Sequence, residues 1–196
     1  VVLQSDSTMH VTWGESEETL SPGTKLSVSP GDDRLKEGRM TITLEDPQKE
    51  IRILSTKRAQ GTPSYFGSFE LSEESDGLLL INELDVEDYL TRVVPSEMPS
   101  NYELEALKAQ AVAARTYALK KMSVQAATYD VVDTTSDQVY NGTPSGNARC
   151  AQAVQETSGI VGTVGGEYMA SYYTASNGGQ TESVKNAWGS GSYSYL

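Results

Sequence analysis

The feature that most constrains the fold of this chain is one long helix, which residues 103–122 encode. The segment contains six alanines and neither glycine nor proline, so it predicts an uninterrupted α-helix. Its apolar residues recur at helical spacing and form one stripe: Leu104, Leu107, Ala111, Ala114, Ala118 and Met122. Because most of these side chains are small, we expect another element to pack closely against the stripe.

The first 84 residues follow another pattern, in which apolar and polar side chains alternate. The alternation is clearest in three runs: Met9–Trp13, Met40–Leu44 and Ile51–Ile53. A period of two between Gly- and Pro-containing breaks predicts short antiparallel strands. Residues 65–71 and 78–81, on either side of an acidic turn, predict a further hairpin. We therefore predict a β-rich lobe over residues 1–84.

The pattern changes after Asn82. Residues 84–90 have helical spacing, with Asn82 or Asp85 as the cap, and Pro95 is expected to end this short helix. Residues 96–102 then read as a loop. Beyond residue 129 we predict short strands at 131–132 and 139–140, a loop at 141–147, a helix at 148–157, and a hairpin of 160–164 with 168–174 that turns at Gly165-Gly166. The whole chain predicts an α+β fold, in which residues 85–196 form a mixed lobe around the alanine-rich helix.

Composition excludes several classes of function. A net charge of −12 argues against binding to a nucleic acid backbone. One cysteine, Cys150, and one histidine, His10, exclude an internal disulfide and make a Cys–His pair, a Ser-His-Asp triad or a zinc site built by the protein alone improbable. Cys150 lies on the predicted helix 148–157 and is expected to be a small core residue. No apolar run is long enough to span a membrane.

Carboxylates, tyrosines and a few cations remain as candidates for chemistry. Glu97 lies between the apolar runs Val93-Val94-Pro95 and Met98-Pro99, and apolar neighbours favour the protonated form that a general acid requires. The alternative is an ordinary solvated glutamate. Lys108 and Arg115 are seven residues apart, so they share a helix face at a distance of roughly 10 Å and could orient a sugar chain. Solvated side chains paired with Glu103 or Glu105 are the alternative.

Three blocks of sequence carry a family resemblance. Residues 81–90 (INELDVEDYL), 93–99 (VVPSEMP) and 105–118 (EALKAQAVAARTYA) resemble the stage II sporulation protein D family, which includes amidase enhancers of bacterial cell walls. Weaker matches follow in the family's order: residues 137–142, 153–159, 172–181 and Trp188-Gly189. The resemblance extends over about residues 63–196.

The resemblance implies a lytic transglycosylase that cleaves the β-1,4 bond after N-acetylmuramic acid in peptidoglycan and leaves a 1,6-anhydro sugar. Glu97 matches the family's catalytic acid/base. Lys108 and Arg115 match residues implicated in activity, and the family's tyrosine before the Gly-Gly turn matches Tyr173, with Tyr172 as the other register. We assign all four to substrate binding. For the tyrosines, packing against a strand is the alternative. A transglycosylase needs no second carboxylate, because the 6-hydroxyl of the sugar takes the role of water.

Two other functions remain open: a non-catalytic, glycan-binding enhancer of a cell-wall amidase, and a structural domain that holds glycan without cleaving it. Some family members bind zinc through His and Cys near residues 131–140, where this chain has Asp133-Thr134-Thr135-Ser136-Asp137, so no metal or other cofactor is expected. The substrate implies an extracytoplasmic location: the cell wall, the periplasm or the forespore intermembrane space. We expect any signal or anchor upstream of Val1, and family members usually continue beyond Trp188-Gly189.

Overall fold

The computed structural model describes residues 1–124, 128–143, 147–189, 193 and 195. Strands are the main regular structure in the first 83 residues, and the long helices follow them. This arrangement confirms the predicted α+β class with its β-rich N-terminal region.

Nine strands precede residue 84: β1 (Val2–Ser5), β2 (Met9–Trp13), β3 (Ser16–Leu20), β4 (Lys25–Ser27), β5 (Met40–Leu44), β6 (Ile51–Ile53), β7 (Ser64–Tyr65), β8 (Ser68–Glu74) and β9 (Gly77–Glu83). They form two antiparallel sheets, of order β3-β2-β5-β8-β9 and β4-β1-β6-β7, and a short 3-10 helix spans Asp33–Leu35. The predicted runs lie in these strands, and the predicted hairpin of β8 and β9 is present. The sequence pattern missed β3, because this edge strand is mostly exposed and its residues are mostly polar.

Four helices lie among the described residues of the remaining chain: α1 (Val86–Glu97), α2 (Leu104–Val124), α3 (Ala148–Glu156) and α4 (Val184–Trp188). The predicted hairpin near residue 165 is formed by β10 (Thr163–Val164) and β11 (Glu167–Tyr168), each shorter than expected. Gly165 and Gly166 both have positive φ in its turn, a conformation that glycine adopts without strain.

The expectation that Pro95 ends the first helix was wrong. Pro95 lies inside α1, which continues to Glu97. A proline so close to the end of a helix removes one backbone hydrogen bond, whereas the rest of the turn can still form. Here the N–H of Met98 donates to the carbonyl of Val94 at 2.9 Å, and the Ser96 hydroxyl donates to the carbonyl of Arg92 at 2.6 Å. The loop that was expected from residue 96 therefore begins at Met98.

The short strands predicted at 131–132 and 139–140 are also absent from the structure. Residues 128–143 are irregular, apart from an isolated bridge between Thr143 and Ser64. The apolar pairs at these positions gave a strand-like pattern, but none of their N–H groups pairs with a neighbouring strand. Those of Val132 and Val139 donate to side chains, and that of Tyr140 donates to the nearby carbonyl of Asp133. Of the loop predicted at 141–147, residues 144–146 lie outside the described part of the chain.

The core explains the small residues of α2. Leu107, Ala111, Ala114 and Ala118 are buried, and both α1 and α3 pack against this helix, as the stripe predicted. Met122, at the end of the stripe, is instead 48% exposed. The same core cluster contains strand residues such as Leu3 and Ile42, so the β-rich part and the helices share one apolar interior.

A polar junction joins the sheets to α1. The Glu50 carboxylate accepts hydrogen bonds from Ser64 (2.6 Å), Thr143 (2.6 Å) and Arg92 (2.9 Å). Burial raises the pKa of Glu50, but these three donors outweigh it and lower the pKa below its usual value. Glu50 is therefore a charged link between the strands, α1 and the start of the loop at Thr143. Among the described residues, no helix combines the length and apolar character needed to cross a bilayer.

Gly142 and Gly159 provide a matched test of the close contact between the irregular segment 128–143 and strand β7. Both have nearly the same backbone angle, with φ of 69° and 71°. A Cβ at Gly142 would lie 2.7 Å from the Ser64 carbonyl oxygen and from the Tyr65 ring, whereas one at Gly159 meets nothing within 4 Å. Gly159→Ala should cost about 1 kcal/mol of unfolding free energy through backbone strain, and Gly142→Ala about 2 kcal/mol more through the clash. Urea unfolding checks this, and equal losses would contradict the close contact.

Candidate functional site

Glu97 is the last residue of α1, and its half-buried side chain reaches the irregular segment 137–140. The helix begins at Val86, and the carboxylate of the preceding Asp85 caps it by accepting the N–H of Glu87 at 2.8 Å. At the other end, Oε1 of Glu97 accepts the backbone N–H of Val139 at 2.6 Å. This bond fixes the orientation of the carboxyl group against the segment.

Segment 137–140 connects several elements through its side chains and backbone. The last of its residues, Tyr140, is buried and donates its hydroxyl to the side-chain oxygen of Asn82 on β9 at 2.8 Å. Its ring centroid lies 4.9 Å from those of Tyr65 and Tyr89. Aromatic contacts at this spacing stabilise the packing of the segment between the sheet and α1.

Gln138 lies at the centre of the site and is fully buried. Its Oε1 accepts the hydroxyl proton of Tyr89 at 3.2 Å, and its Nε2 donates to the carbonyl of Ala114 at 3.3 Å and to the hydroxyl oxygen of Tyr173 at 2.9 Å. Gln138 thereby joins α1, α2 and the chain that follows β11. A buried amide with its polar groups satisfied in this way holds its neighbours in one arrangement.

Tyr173 lies beside Glu97, so the structure brings together two of the predicted site residues. Burial raises the pKa of Tyr173; the hydrogen bond from Gln138 opposes this, and the charge and hydrogen bonding of Glu97 raise it further. The net effect keeps the hydroxyl protonated at neutral pH. The pair therefore offers a carboxyl group and a neutral hydroxyl donor in contact with each other.

Asp137 ties the same segment to α2. Its carboxylate accepts the Tyr117 hydroxyl at 2.7 Å, the Lys121 ammonium at 2.7 Å and the N–H of Val132 at 2.9 Å. Burial alone would raise the pKa of Asp137, but these donors lower it below its ordinary value. Asp137 is thus a charged anchor whose oxygens are occupied by three donors.

Tyr172 belongs to an exposed aromatic group. It is 43% exposed, and its ring meets Trp188 edge to face at 4.8 Å and Tyr117 at 6.2 Å. Trp188 is 60% exposed. We call Tyr172 and Trp188 the aromatic platform. Exposed aromatic faces of this kind can pack against the apolar faces of sugar rings.

Lys108 and Arg115 do not form the shared cationic stripe that their spacing suggested. Lys108 forms ion pairs on the surface with Glu105 at 2.8 Å, as the alternative held, and with Glu156 of α3 at 2.7 Å. Arg115 is only 1% exposed. Its guanidinium group binds both carboxylate oxygens of Glu87 at 2.8 and 2.7 Å.

The guanidinium group of Arg115 also donates to the carbonyls of Val154 and Ile160, at 3.3 and 3.1 Å. Glu87 lies in the first turn of α1, and Glu97 ends the same helix, roughly 15 Å along its axis. The structure therefore brings Arg115 to the start of α1, away from Glu97. Its assignment to substrate binding stays a prediction.

A cleft of about 850 Å³ lies elsewhere, between β9 and residues 128–133. Glu97 and Tyr173 are absent from its lining, although Tyr89 borders it and reaches Gln138 through its hydroxyl. Cys150 is buried in α3, as expected, and burial raises the pKa of its thiol. Within the described ranges, no group of three or more His, Cys, Asp or Glu side chains is placed to hold a metal ion.

The fold and the site together define an α+β protein with a glutamate–tyrosine pair held by buried polar groups. Residues 74–163 match the family model described as stage II sporulation protein. This match supports the similarity of the chain to the stage II sporulation protein D and amidase enhancer family, as its motifs predicted. The matched range contains Glu97, Gln138, Lys108 and Arg115, whereas Tyr172 and Tyr173 lie beyond its end.

Three relatives illustrate the similarity. An uncharacterized protein of Brachyspira hyodysenteriae is 42% identical over 64% of this chain, the amidase enhancer of Bacillus subtilis 45% over 52%, and stage II sporulation protein D of Bacillus subtilis 34% over 55%. The matches span only 34%, 14% and 36% of those proteins, respectively. No solved structure matches this chain.

Sequence reasoning found Glu97 and Tyr173 but missed Gln138 and Asp137 as parts of the site. The motif 137–142 was recognised as a family match without a role for any of its residues. The sequence did carry a weak sign of an irregular segment here, because the residues that follow the apolar pair 131–132 have neither helical nor strand periodicity. The partners of Gln138, however, lie 24 to 49 residues away along the chain, so no local pattern identifies them.

Arg115→Ala should lower the free energy of unfolding by about 3 kcal/mol, because it removes the ion-pair partner of Glu87 and one donor to each of the Val154 and Ile160 carbonyls. Lys108→Ala is the control, since its ion pairs lie at the surface and should contribute less than about 1 kcal/mol. Urea unfolding of both variants measures the difference. Similar small losses in the two would contradict the interior position of the guanidinium group.

Asp137→Asn should destabilise the protein by about 1 to 2 kcal/mol near neutral pH, and the effect should shrink in acid. The folded protein lowers the pKa of Asp137 from its ordinary value of 3.8, so its contribution is present above that pH and is lost as pH falls through the lower, folded value. Exposed Asp130→Asn serves as the control and should change stability little at either pH. A loss for Asp137→Asn that is the same at neutral and acid pH would contradict the charged anchor.

Proposed function

We propose that this chain is the catalytic part of a peptidoglycan lytic transglycosylase, with Glu97 as its acid/base. The observation that carries the proposal is the half-buried carboxyl of Glu97, oriented by the N–H of Val139 and in contact with the hydroxyl of Tyr173. The substrate would be the glycan strand, cleaved at the β-1,4 bond between N-acetylmuramic acid and N-acetylglucosamine. No cofactor enters this reaction.

The chemistry proceeds in two proton transfers through one group. Protonated Glu97 gives its proton to the glycosidic oxygen as the bond from C1 to that oxygen breaks, and the leaving N-acetylglucosamine keeps the proton. The carboxylate then removes the proton of the 6-hydroxyl while O6 bonds to C1 of the muramic acid. Glu97 is protonated again, the product is a 1,6-anhydro sugar, and no water is consumed. The Tyr173 hydroxyl stabilises the carboxylate between the two transfers.

A single carboxyl group is sufficient for this route. Hydrolases that retain or invert configuration use two carboxyl groups across the bond. The other carboxylate of segment 137–140, Asp137, already accepts hydrogen bonds from Tyr117, Lys121 and Val132. Its low pKa and occupied oxygens suit an anchor and do not suit a nucleophile or a base. This supports a transglycosylase over a hydrolase.

Several residues would contact or support the glycan. Tyr172 of the aromatic platform is next to Tyr173 in sequence, and the platform would pack against sugar rings adjacent to the cleaved bond. Lys108 would exchange its surface carboxylates for acidic groups of the polymer. Arg115, which the resemblance also assigns to the substrate, would act through the position of α1, because Glu87 occupies its guanidinium group.

The family match and the relatives support a role linked to the cell wall, and the substrate implies an extracytoplasmic location. The amidase enhancer of Bacillus subtilis, at 45% identity, favours a second function. In that case the chain would bind glycan and stimulate a cell-wall amidase, with or without cleavage of its own. The two functions are compatible in one protein, and a single set of variants separates them.

Glu97→Gln should abolish the release of anhydro-muramyl products, by about a thousandfold or more, because it removes the only proposed proton donor and acceptor. The assay incubates the protein with purified glycan strands, with and without stem peptides, and identifies products by mass spectrometry. Exposed Glu103→Gln, just before α2, is the matched control and should retain full activity.

The outcomes divide the functions clearly. Anhydro products from wild type and Glu103→Gln, but not from Glu97→Gln, support the transglycosylase. Glycan binding without products, together with stimulation of an amidase that survives Glu97→Gln, would instead establish the enhancer. Binding without either activity would leave a structural, glycan-holding domain and overturn the enzyme.

Tyr172→Ala and Trp188→Ala should each raise KM for glycan strands about three- to tenfold, because each removes an aromatic face from the platform. Tyr102→Ala is the control, since Tyr102 is 51% exposed but lies in the turn before α2. Steady-state kinetics on glycans of uniform length measures KM. An effect of Tyr102→Ala equal to that of the platform variants would refute the platform.

A further inference from the structure

The orientation of the Gln138 amide is fixed by a group that can only accept a hydrogen bond. The carbonyl of Ala114 lies 3.3 Å from one end of the amide, which must therefore be the NH₂ end. The opposite end faces the Tyr89 hydroxyl, which donates to Oε1 at 3.2 Å. Burial raises the pKa of Tyr89 well above its usual value, so this hydroxyl keeps its proton.

The fixed amide in turn fixes the direction of the Tyr173 hydroxyl. Because Nε2 of Gln138 donates to the Tyr173 oxygen at 2.9 Å, the hydroxyl proton of Tyr173 cannot point at Gln138. The acceptor that remains next to this hydroxyl is Glu97, whose charge and hydrogen bonding act on it. The carbonyl of Ala114 in α2 thus fixes the Gln138 amide, and the amide fixes the direction of the Tyr173 hydroxyl proton.

We propose that Gln138 is a positioning residue that aims the hydroxyl proton of Tyr173 at Glu97. Its importance for catalysis rests on the proposed function, whereas the geometry itself does not. With the donor already aimed, the carboxylate formed when Glu97 loses its proton is stabilised without any side chain having to turn. Gln138 need not touch the substrate for this purpose.

An isosteric change reverses the polarity of this contact. Gln138→Glu replaces the NH₂ group with an oxygen, which accepts the Tyr173 proton and takes it away from Glu97. The experiment places 3,5-difluorotyrosine at position 173 of the full chain and follows its phenol titration by fluorine NMR. The ionisable groups that interact with this phenol are Glu97, Tyr89 and Tyr117. Of these only Glu97 is varied, and Gln138→Glu adds one carboxyl group.

The readout is the shift in phenol pKa produced by Glu97→Gln, measured with Gln and with Glu at position 138. The proposal expects a clear downward shift in the Gln138 protein and a shift of less than half that size in Gln138→Glu. A purely structural role would leave the shift the same in both proteins, and that result would overturn the proposal.

Gln138→Met keeps the test decisive if the buried carboxyl prevents folding. Methionine removes the donor to the phenolate without adding a charge, so the fluorinated phenol should titrate at a higher pH than in wild type. An unchanged or lower value would mean that the amide does not donate to this oxygen, and would overturn the proposal.

Activity provides a second measurement that separates this inference from the proposed function. Gln138→Glu should lower kcat about tenfold with little change in KM, and the double variant with Tyr173→Phe should be no slower than Tyr173→Phe alone. Additive losses would contradict the shared pathway through Tyr173. A protein that shows the expected titration but releases no anhydro products would overturn the transglycosylase and leave the positioning role of Gln138 intact.

Discussion

The hydrogen bond from the backbone N–H of Val139 to Glu97 is the contact on which the site depends. Segment 137–140 has no strand partner. The N–H groups of Asp137 and Tyr140 donate to nearby carbonyls, whereas the polar side chains of the segment bond to groups of other elements. Asp137 is held by α2, Gln138 by α1, α2 and Tyr173, and Tyr140 by the edge strand β9. A buried segment satisfied in this way can adopt only one position, and Glu97 is fixed with it.

Two partly buried ion pairs outside this segment fix the position of the helix that carries Glu97. Glu50 links the strands to Arg92 in α1, and Glu87, at the start of the same helix, binds Arg115 of α2. Each contact sets the position of α1, and therefore of the carboxyl group at its end. An arginine that resembles a substrate ligand in the sequence can thus affect activity through the helix that carries the acid. The unfolding experiments distinguish this role from direct binding.

The parts of the fold that could be predicted are those whose signal is local. The composition of α2, the alternation in β2, β5 and β6, and the cap at Asp85 each follow from a few adjacent residues. Pro95 misled the prediction because the energetic cost of a proline in a helix depends on how close it is to the end. The sequence alone did not show that Pro95 lies in the last turn. Residues 139–140 misled it because an apolar pair in an irregular buried segment has the same pattern as a short strand.

In the site, too, the features with a local signal could be predicted and those that depend on distant contacts could not. Glu97 was recognisable from its apolar neighbours and its motif, whereas its contact with Val139 spans 42 residues and has no local signal. Arg115 was placed correctly on a helix face, but the face proved to be interior, because α3 and residue 160 cover it. The alanines of α2 predicted that another element packs closely against this helix. Residues 154–160 form part of that neighbouring element.

Hydrogen–deuterium exchange at the backbone amide of Val139 tests this account most directly. If the bond to Glu97 holds segment 137–140 in one position, this amide should exchange as slowly as the core of α2, although it belongs to no helix or strand. Exchange as fast as that of the exposed residues 128–130 would show that the segment opens freely. In that case it could fix neither Glu97 nor Tyr173.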